Sequence, residues 1–346
     1  MKKKTLFVRL SSLGDIVLTE STIRYYRLNN PDTEIHFLTK PEYARLIRNY
    51  FLVDKVHEYK KGVFKQLLLE KYDLVIDIHN KLNTFIMKYL IKPNKIITYK
   101  KNHLLRFLIV KKLSICQIDT VVLNYFEAVN RLKLPPTPLS EGGWGEFSPN
   151  FLDKKIINKE AVLDKFMSFN IPSDKYLIGI FPGAKHITKM YPCEKLANLI
   201  SNVPDSWLCC FVILGTWQDK QLFFKIKSLT NKKIYDLTGA FDTCDIVTAI
   251  SLMDVVISND SGAMHIAAAL KKPQIAIYGA THTRLGFRPL NENAVILQKN
   301  ISCQPCSLHG SNKCKKNSLD CFNDLDLFDT FKELFENNVV ISQNGR

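Results

Sequence analysis

Along almost the whole chain, short runs of β-branched and other apolar residues alternate with apolar positions at helical spacing. In the first half, residues 5–10, 34–39, 55–59, 74–78 and 95–98 read as strands, and stretches such as 16–28 and 63–70 read as helices. Pro31 predicts the end of the first helix, because its ring clashes with the preceding turn. From 134 to 149 the text changes to Pro135, Pro136, Pro138, Gly142, Gly143, Gly145 and Pro149, which predicts a linker. The alternation then resumes, with strands at 176–181, 207–214, 233–236, 255–258 and 274–278. Helices follow at 192–201, 218–229, 244–252 and 263–270, and Pro192 suits the first position of its helix. A last helical pattern, 325–337, precedes a polar tail. Continuous apolar strands separated by helices predict parallel sheets covered on both faces. The expected class is therefore α/β, with two doubly wound, Rossmann-like domains at 1–150 and 151–322 facing each other across a cleft. Residues 323–346 form a C-terminal helix and tail.

Length agrees, since 346 residues exceed one typical domain and suit two, and 46% apolar residues can fill two cores. No stretch approaches the roughly 18–20 apolar residues of a membrane span. The N-terminal apolar run, residues 6–8, stops at Arg9, far short of a signal-peptide core. A cytoplasmic chain is expected, with its nine cysteines mostly reduced.

Charge sharpens the picture. Of the net +15, most lies early: residues 1–150 hold 25 Lys and Arg against 14 Asp and Glu, and the rest hold 23 against 19. A basic half suits an anionic substrate or membrane surface. Nucleic acid is disfavoured, because the cations are not interleaved with a stacking motif or a recognition helix. Residues 99–112 mix cations with a large apolar fraction, which suits either an interfacial helix or a core-packed helix with a solvated face. The first reading would bring the protein to the inner face of the inner membrane as a peripheral partner.

Chemistry is expected where strands end, because ligands of open α/β sheets bind there. The strand at 255–258 runs into Asn259-Asp260-Ser261-Gly262 and then a helix of small residues. Asp260 or Ser261 can cap that helix, Gly262 lets a ligand approach, and free N–H groups of the first turn suit a diphosphate. An ordinary capped helix has the same spacing, and His265 within it is more often a packed residue than a catalyst. After 176–181 come Pro182-Gly183-Ala184 and, before the next helix, Thr188 and Lys189. Lys189 can meet a phosphate as a compact charge, or be a solvated lysine. Asp219, in a third strand-end loop, suits ribose hydroxyls or a helix start. Thr281, in a fourth, offers a hydroxyl. Near the N-terminus Asp15 opens a helix, either as its cap or as a general base. The spacing there is not a G-x-G-x-x-G fingerprint. Cys303, Cys306, Cys314 and Cys321 include one C-x-x-C, so thiolate ligation of a metal is open, with packed reduced thiols the commoner outcome.

Together these segments resemble the heptosyltransferases of glycosyltransferase family 9, which extend the lipopolysaccharide inner core from ADP-heptose. The matching text is Ser12-Leu13-Gly14-Asp15, Tyr72-Asp73-Leu74-Val75-Ile76-Asp77, Pro182-Gly183-Ala184, Lys189 with Tyr191-Pro192, Asn259-Asp260-Ser261-Gly262 with Met264-His265, and Tyr278-Gly279 with Thr281. The cysteine-bearing stretch is also common in that family. The resemblance implies a GT-B architecture, an acceptor-binding first domain, a nucleotide-sugar-binding second domain and inversion at the anomeric carbon. It implies Asp15 as the catalytic aspartate, Lys189 at the donor phosphates with Thr188 and Thr281, Asp219 at the ribose, and Asp260, Ser261 and Gly262 as the phosphate loop. Tyr191 stands where many members have Trp, and Ala263 where Pro is frequent. These departures bear on the sugar and acceptor rather than on the reaction.

The expected function is transfer of a heptose, or a related sugar, from a nucleotide diphosphate such as ADP-heptose to an anionic, lipid-linked lipopolysaccharide core. With a lysine and a helix start at the departing phosphate, no metal or other cofactor is required. Two competing readings are a nucleotide-sugar epimerase or hydrolase of the same fold, and a non-catalytic polyanion-binding protein.

Overall fold

The computed structural model describes residues 2–118, 120–132, 148–151 and 158–340. Most of the expected linker lies outside the described residues. The chain divides into two compact units, Met1–His103 with Asp119–Lys154, and Leu104–Ile118 with Lys155–Arg346.

The first unit carries β1 (Lys4–Val8), β2 (Glu34–Thr39), β3 (Lys55–Glu58), β4 (Leu74–Asp77) and β5 (Lys95–Thr98). All pair in parallel, in the order β3-β2-β1-β4-β5. Helices α1 (Leu13–Asn29), α2 (Pro41–Tyr50), α3 (Val63–Glu70) and α4 (Leu82–Leu90) connect them, and α6 (Val121–Asn130) packs on α1. The first helix stops just before Pro31, as expected. Buried polar groups pin β4. The Asp77 carboxylate accepts the backbone N–H groups of His79 and Asn80 at 3.0 and 2.8 Å, and pairs with the buried Lys88 ammonium at 3.2 Å.

In the second unit α7 (Lys159–Ser168) precedes β6 (Tyr176–Phe181), α8 (Cys193–Asn202), β7 (Cys209–Gly215), α9 (Lys220–Ser228) and β8 (Ile234–Thr238). The chain continues through α10 (Asp245–Ser251), β9 (Val255–Asn259), α11 (Gly262–Ala269), β10 (Gln274–Tyr278), β11 (Ala294–Gln298) and α12 (Leu327–Phe335). The six strands are parallel in the order β11-β10-β9-β6-β7-β8. This is the doubly wound order in which the chain reverses beside its first strand. Ile178, Ile180, Ile213, Ile257 and Ile275 supply sheet residues of a core closed by Leu196 and Ile200 of α8 and Phe331 of α12. Trp207 stacks on Phe335.

Several expectations shift. Trp207 lies in a short 3-10 turn, so β7 starts two residues later than the apolar run suggested. Pro192 is the N-cap of α8 rather than its first residue. Strand β11 was not expected, although Ala294–Leu297 is a short apolar run; it forms a sheet edge on which Val295 and Ile296 stay exposed. Residues 104–118 group with the second unit, although they precede the expected boundary at 150. The reason is local burial. Ile109 and Ile118 pack on Leu285, the Ile118 N–H donates to the Arg284 carbonyl at 3.0 Å, and the Arg106 guanidinium lies 5.1 Å from the Phe287 ring centroid. Helix α5 (His103–Val110) thus buries Arg106 and Ile109 while leaving Leu104 and Phe107 exposed.

Candidate functional site

In each sheet the reversal falls beside the first strand, β1 in one unit and β6 in the other. The loops leaving those strands and their switch-point neighbours, β4 and β9, hold most of the candidate residues, while Asp219 follows β7 and Thr281 follows β10.

In the first unit Ser12 is the N-cap of α1, and Asp15 completes a capping box. The Ser12 N–H and hydroxyl donate to Asp15 Oδ2 at 3.3 and 2.9 Å. The same oxygen lies 2.5 Å from Arg9 Nη2, and the Tyr125 hydroxyl donates to Oδ1 at 3.3 Å. Arg9 is itself buried, with Nε and Nη1 donating to the Ser11 and Ile78 carbonyls at 2.8 Å each. Burial works against a charged Asp15, but Arg9 and the Ser12 donors outweigh it and hold the carboxyl down at about 2. His79, just after β4, keeps a buried Nδ1 without a hydrogen-bond partner among the described residues. Burial, then the cations Arg9, Lys81 and Lys101, push its imidazole down to about 3, so it is neutral near pH 7. This corner presents an ionised carboxylate clamped by a guanidinium, beside a neutral imidazole. The sequence reading named Asp15 but not Arg9 or His79. A lone cation closing an otherwise apolar strand was the available signal for Arg9.

In the second unit Asn259, at the end of β9, ties the loop leaving β6 to the residues that open α8. Its side-chain oxygen accepts the Tyr191 N–H at 3.0 Å, and its Nδ2 donates to the Pro182 carbonyl at 2.8 Å. Next to it, Asp260 Oδ2 lies 2.8 Å from Lys189 Nζ and accepts the Thr281 hydroxyl at 2.8 Å. Lys189 sits at the end of a 3-10 turn, Ile187–Lys189, whose Thr188 hydroxyl donates to the Ser311 carbonyl and accepts the Ser311 N–H, both at 2.8 Å. Gly279 lets this turn approach β10, because a Cβ there would meet the Thr188 carbonyl oxygen at 2.5 Å and overlap the Phe322 ring. Asp219 lies against Gly183, where a Cβ would collide with its carboxylate, while Oδ2 accepts the N–H and hydroxyl of Thr216 at 2.7 and 2.9 Å. Ser261 is the N-cap of α11 but makes no capping bond through its side chain. No side-chain cap from Ser261 therefore occupies the first-turn N–H groups of α11, which start at Gly262. His265 is buried on that helix.

Residues 61–316 match the profile of glycosyltransferase family 9 (heptosyltransferase). The chain belongs to this family. Over 96% of this chain and 99% of the relative, it is 25% identical to lipopolysaccharide heptosyltransferase 1 of Campylobacter coli. Its fold is similar to that of Escherichia coli ADP-heptose lipopolysaccharide heptosyltransferase II, with a TM-score of 0.75 and 18% identity over the whole of both chains. A glycosyltransferase family 9 protein of Veillonella parvula gives a TM-score of 0.78 at 16% identity, covering 99% of this chain and 98% of that one. The protein is a glycosyltransferase of GT-B type, as the family 9 resemblance implied.

Within that frame, the structure brings Lys189, Asp260 and Thr281 into direct contact and joins Thr188 to them through the Lys189 turn. Asp219 stands one loop away, against Gly183. The Asp260 carboxylate would repel a phosphate, so what it offers directly is a partner for Lys189 and Thr281. Asn259 stood in the strand-end motif without an assigned role and Ser311 was not singled out from sequence, because their roles rest on contacts made between distant loops.

Proposed function

We propose that this family 9 enzyme transfers a heptose from ADP-heptose to the inner core of lipopolysaccharide, with inversion. What carries the reading is the Lys189–Asp260–Thr281 cluster beside the start of α11, at the reversal of the second sheet. There a cation, a hydroxyl and first-turn N–H groups meet where a diphosphate is held in such sheets. The relatives named as heptosyltransferases across nearly the full chain support the sugar and the acceptor.

In the proposed displacement, the acceptor oxygen bonds to the anomeric carbon as the bond to the diphosphate breaks. The hydroxyl proton passes to Asp15, and the electron pair leaves with the phosphate. With its carboxyl near 2, Asp15 accepts a proton only once the attacking oxygen has become strongly acidic, so proton transfer comes late. Lys189 and the α11 N–H groups stabilise charge on the departing phosphate, while Thr281, whose hydroxyl proton goes to Asp260, holds that carboxylate. Asp260 positions Lys189, Thr188 supports its turn, and Asp219 is assigned to the ribose hydroxyls.

The basic first half, with apolar side chains exposed on α4 (Leu82, Phe85, Ile86, Tyr89) and α5 (Leu104, Phe107), supports peripheral contact with an anionic membrane bearing the acceptor. No helix among the described residues is long and apolar enough to cross a membrane.

A thermal-shift panel of ADP-, UDP-, GDP- and CDP-linked sugars, followed by transfer to heptose-deficient lipopolysaccharide, tests this function. Stabilisation by ADP-heptose above the others, with acceptor-dependent release of ADP, is expected. Release of ADP or an altered sugar without acceptor would instead indicate a hydrolase or epimerase.

A further inference from the structure

In the first unit two histidines are buried inside strands, His36 in β2 and His57 in β3. In the parallel ladder Leu38 pairs with His57, and His36 lies two residues before Leu38, so both imidazoles project from one face of the sheet. They meet there, with His57 Nε2 at 3.2 Å from His36 Nδ1. The buried Tyr72 hydroxyl closes a triangle, 2.8 Å from His36 Nδ1 and 3.1 Å from His57 Nε2. Glu70, at the end of α3, comes to the same place, so that one ligand atom each of His36, His57 and Glu70 lies within 4.8 Å of the others. Among the described residues no other three histidine, cysteine or acidic side chains come so close. Cys303, Cys306, Cys314 and Cys321 line one cavity, but no three of their sulfurs do so.

Hydrogen bonds alone leave this triangle a proton short. His36 Nε2 lies 2.7 Å from Glu34 Oε1, which only accepts, so a neutral ring keeps its proton there and its Nδ1 presents a lone pair. The three contacts among His36 Nδ1, His57 Nε2 and the Tyr72 oxygen then share at most two protons, one from the phenol and one from His57. A divalent ion at this point satisfies both ring nitrogens without either proton. Two ligands at about 2.0–2.1 Å from a tetrahedral zinc stand roughly 3.3 Å apart. The two ring nitrogens are 3.2 Å apart. The Glu34 contact is the carboxylate–histidine arrangement that orients metal-binding imidazoles. Glu70 pairs with Lys4 and Lys55 at 2.5 Å each, but those lysines are 28% and 52% exposed and can swing out to solvent. The carboxylates of Glu34 and Glu70 then balance a divalent charge, and Glu70, itself partly exposed, gives the ion its way in.

We propose that His36 Nδ1, His57 Nε2 and one Glu70 oxygen bind a divalent transition-metal ion, of which zinc is the reference, with the Tyr72 oxygen at its fourth position. Both imidazoles bind as neutral rings, His57 with its proton on Nδ1, so binding releases no proton and displaces the two ammonium groups from Glu70 instead. Imidazole and carboxylate ligands suit zinc, and the absence of sulfur from the set separates this site from any thiolate centre. Strand β3 is the edge of its sheet, next to β2. The ion fastens that edge and the end of α3 to β2. His36 and His57 lie within their strands rather than in the strand-end loops that carry Asp15 and His79. The role is therefore structural, and it is independent of the identity of the sugar.

Full-length protein stripped of metal by dialysis against a chelator, then freed of the chelator and kept reduced, is titrated with zinc. Wild type should bind zinc and melt at a higher temperature, and X-ray absorption of the zinc form should show nitrogen and oxygen neighbours with imidazole scattering. His57→Gln and Glu70→Gln should each bind about one zinc fewer per chain than wild type. Lys55→Ala should bind zinc several-fold more tightly because it frees Glu70, a gain that a purely hydrogen-bonded network does not produce. Equal zinc uptake by wild type and both ligand variants, including none by any of them, would overturn the site and leave a hydrogen-bonded network. A zinc shell of sulfur alone in wild type would overturn it as well. If either ligand variant fails to fold, the wild-type absorption spectrum and Lys55→Ala decide, and neither requires nucleotide or acceptor.

Discussion

Lys189 and Asp260 are ion-paired at 2.8 Å, and the Thr281 hydroxyl binds the same carboxylate oxygen. The three side chains come from the ends of different elements, and the pair holds the ammonium beside the first turn of α11. An arriving diphosphate would share the lysine with Asp260 rather than displace a solvated side chain. Its position is set before the ligand binds.

Lys189→Ala should therefore lower kcat/KM by roughly 10²–10³-fold, the range for removing one preorganised donor at developing charge. Lys189→Arg should recover only part of this, because a planar guanidinium does not reproduce a compact ammonium between Asp260 and a phosphate. Steady-state transfer and calorimetric ADP binding check both. An unchanged kcat/KM in the alanine variant would remove Lys189 from the mechanism.

Asp15 ties stability to pH in a direction that can be worked out. Its carboxyl falls from 3.8 to about 2 on folding, so the stabilisation is complete above about pH 4 and is lost as pH falls through 2. Asp15→Asn should cost on the order of 2 kcal/mol in urea unfolding at pH 7, or more because Arg9 is left buried and unpaired. The gap from wild type should narrow between pH 4 and 2. Activity should be nearly abolished while ADP binding survives, and the acid limb of the wild-type pH–rate profile should not arise from Asp15.

Gly279 has no room for a methyl group between Phe322 and the Thr188 carbonyl. Gly279→Ala should destabilise by about 1–3 kcal/mol, as overpacking does. Gly279→Ala should also weaken ADP binding by pushing the Thr188–Lys189 turn away, and adding Phe322→Ala should not restore it, because the Thr188 oxygen still blocks the Cβ. Thermal unfolding and nucleotide titration of the single and double variants measure this.

The proposed membrane contact, taken separately for α4 in the first unit and α5 in the second, predicts salt-sensitive sedimentation with anionic vesicles. Phe85→Asp/Ile86→Asp and Leu104→Asp/Phe107→Asp should each weaken it while leaving activity on a detergent-dispersed acceptor close to wild type. Equal sedimentation with neutral and anionic vesicles would contradict the electrostatic part of the reading.

Sequence periodicity alone determined the two parallel α/β halves. The expected strands Glu34–Thr39, Lys95–Thr98, Tyr176–Phe181 and Gln274–Tyr278 match residue for residue. It also marked the strand-end residues Asp15, Lys189, Asp219, Asp260 and Thr281, because polar side chains closing buried strands are visible as breaks in the pattern. Only the tertiary structure decided that Arg9 clamps Asp15, that Asn259 joins the β6 and Lys189 loops, that residues 104–118 pack with the second unit, and that four thiols share one cavity. Periodicity reports which face of one element is buried. Pairing between elements far apart in the chain depends on the order of strands in the sheet, and no local pattern encodes that order.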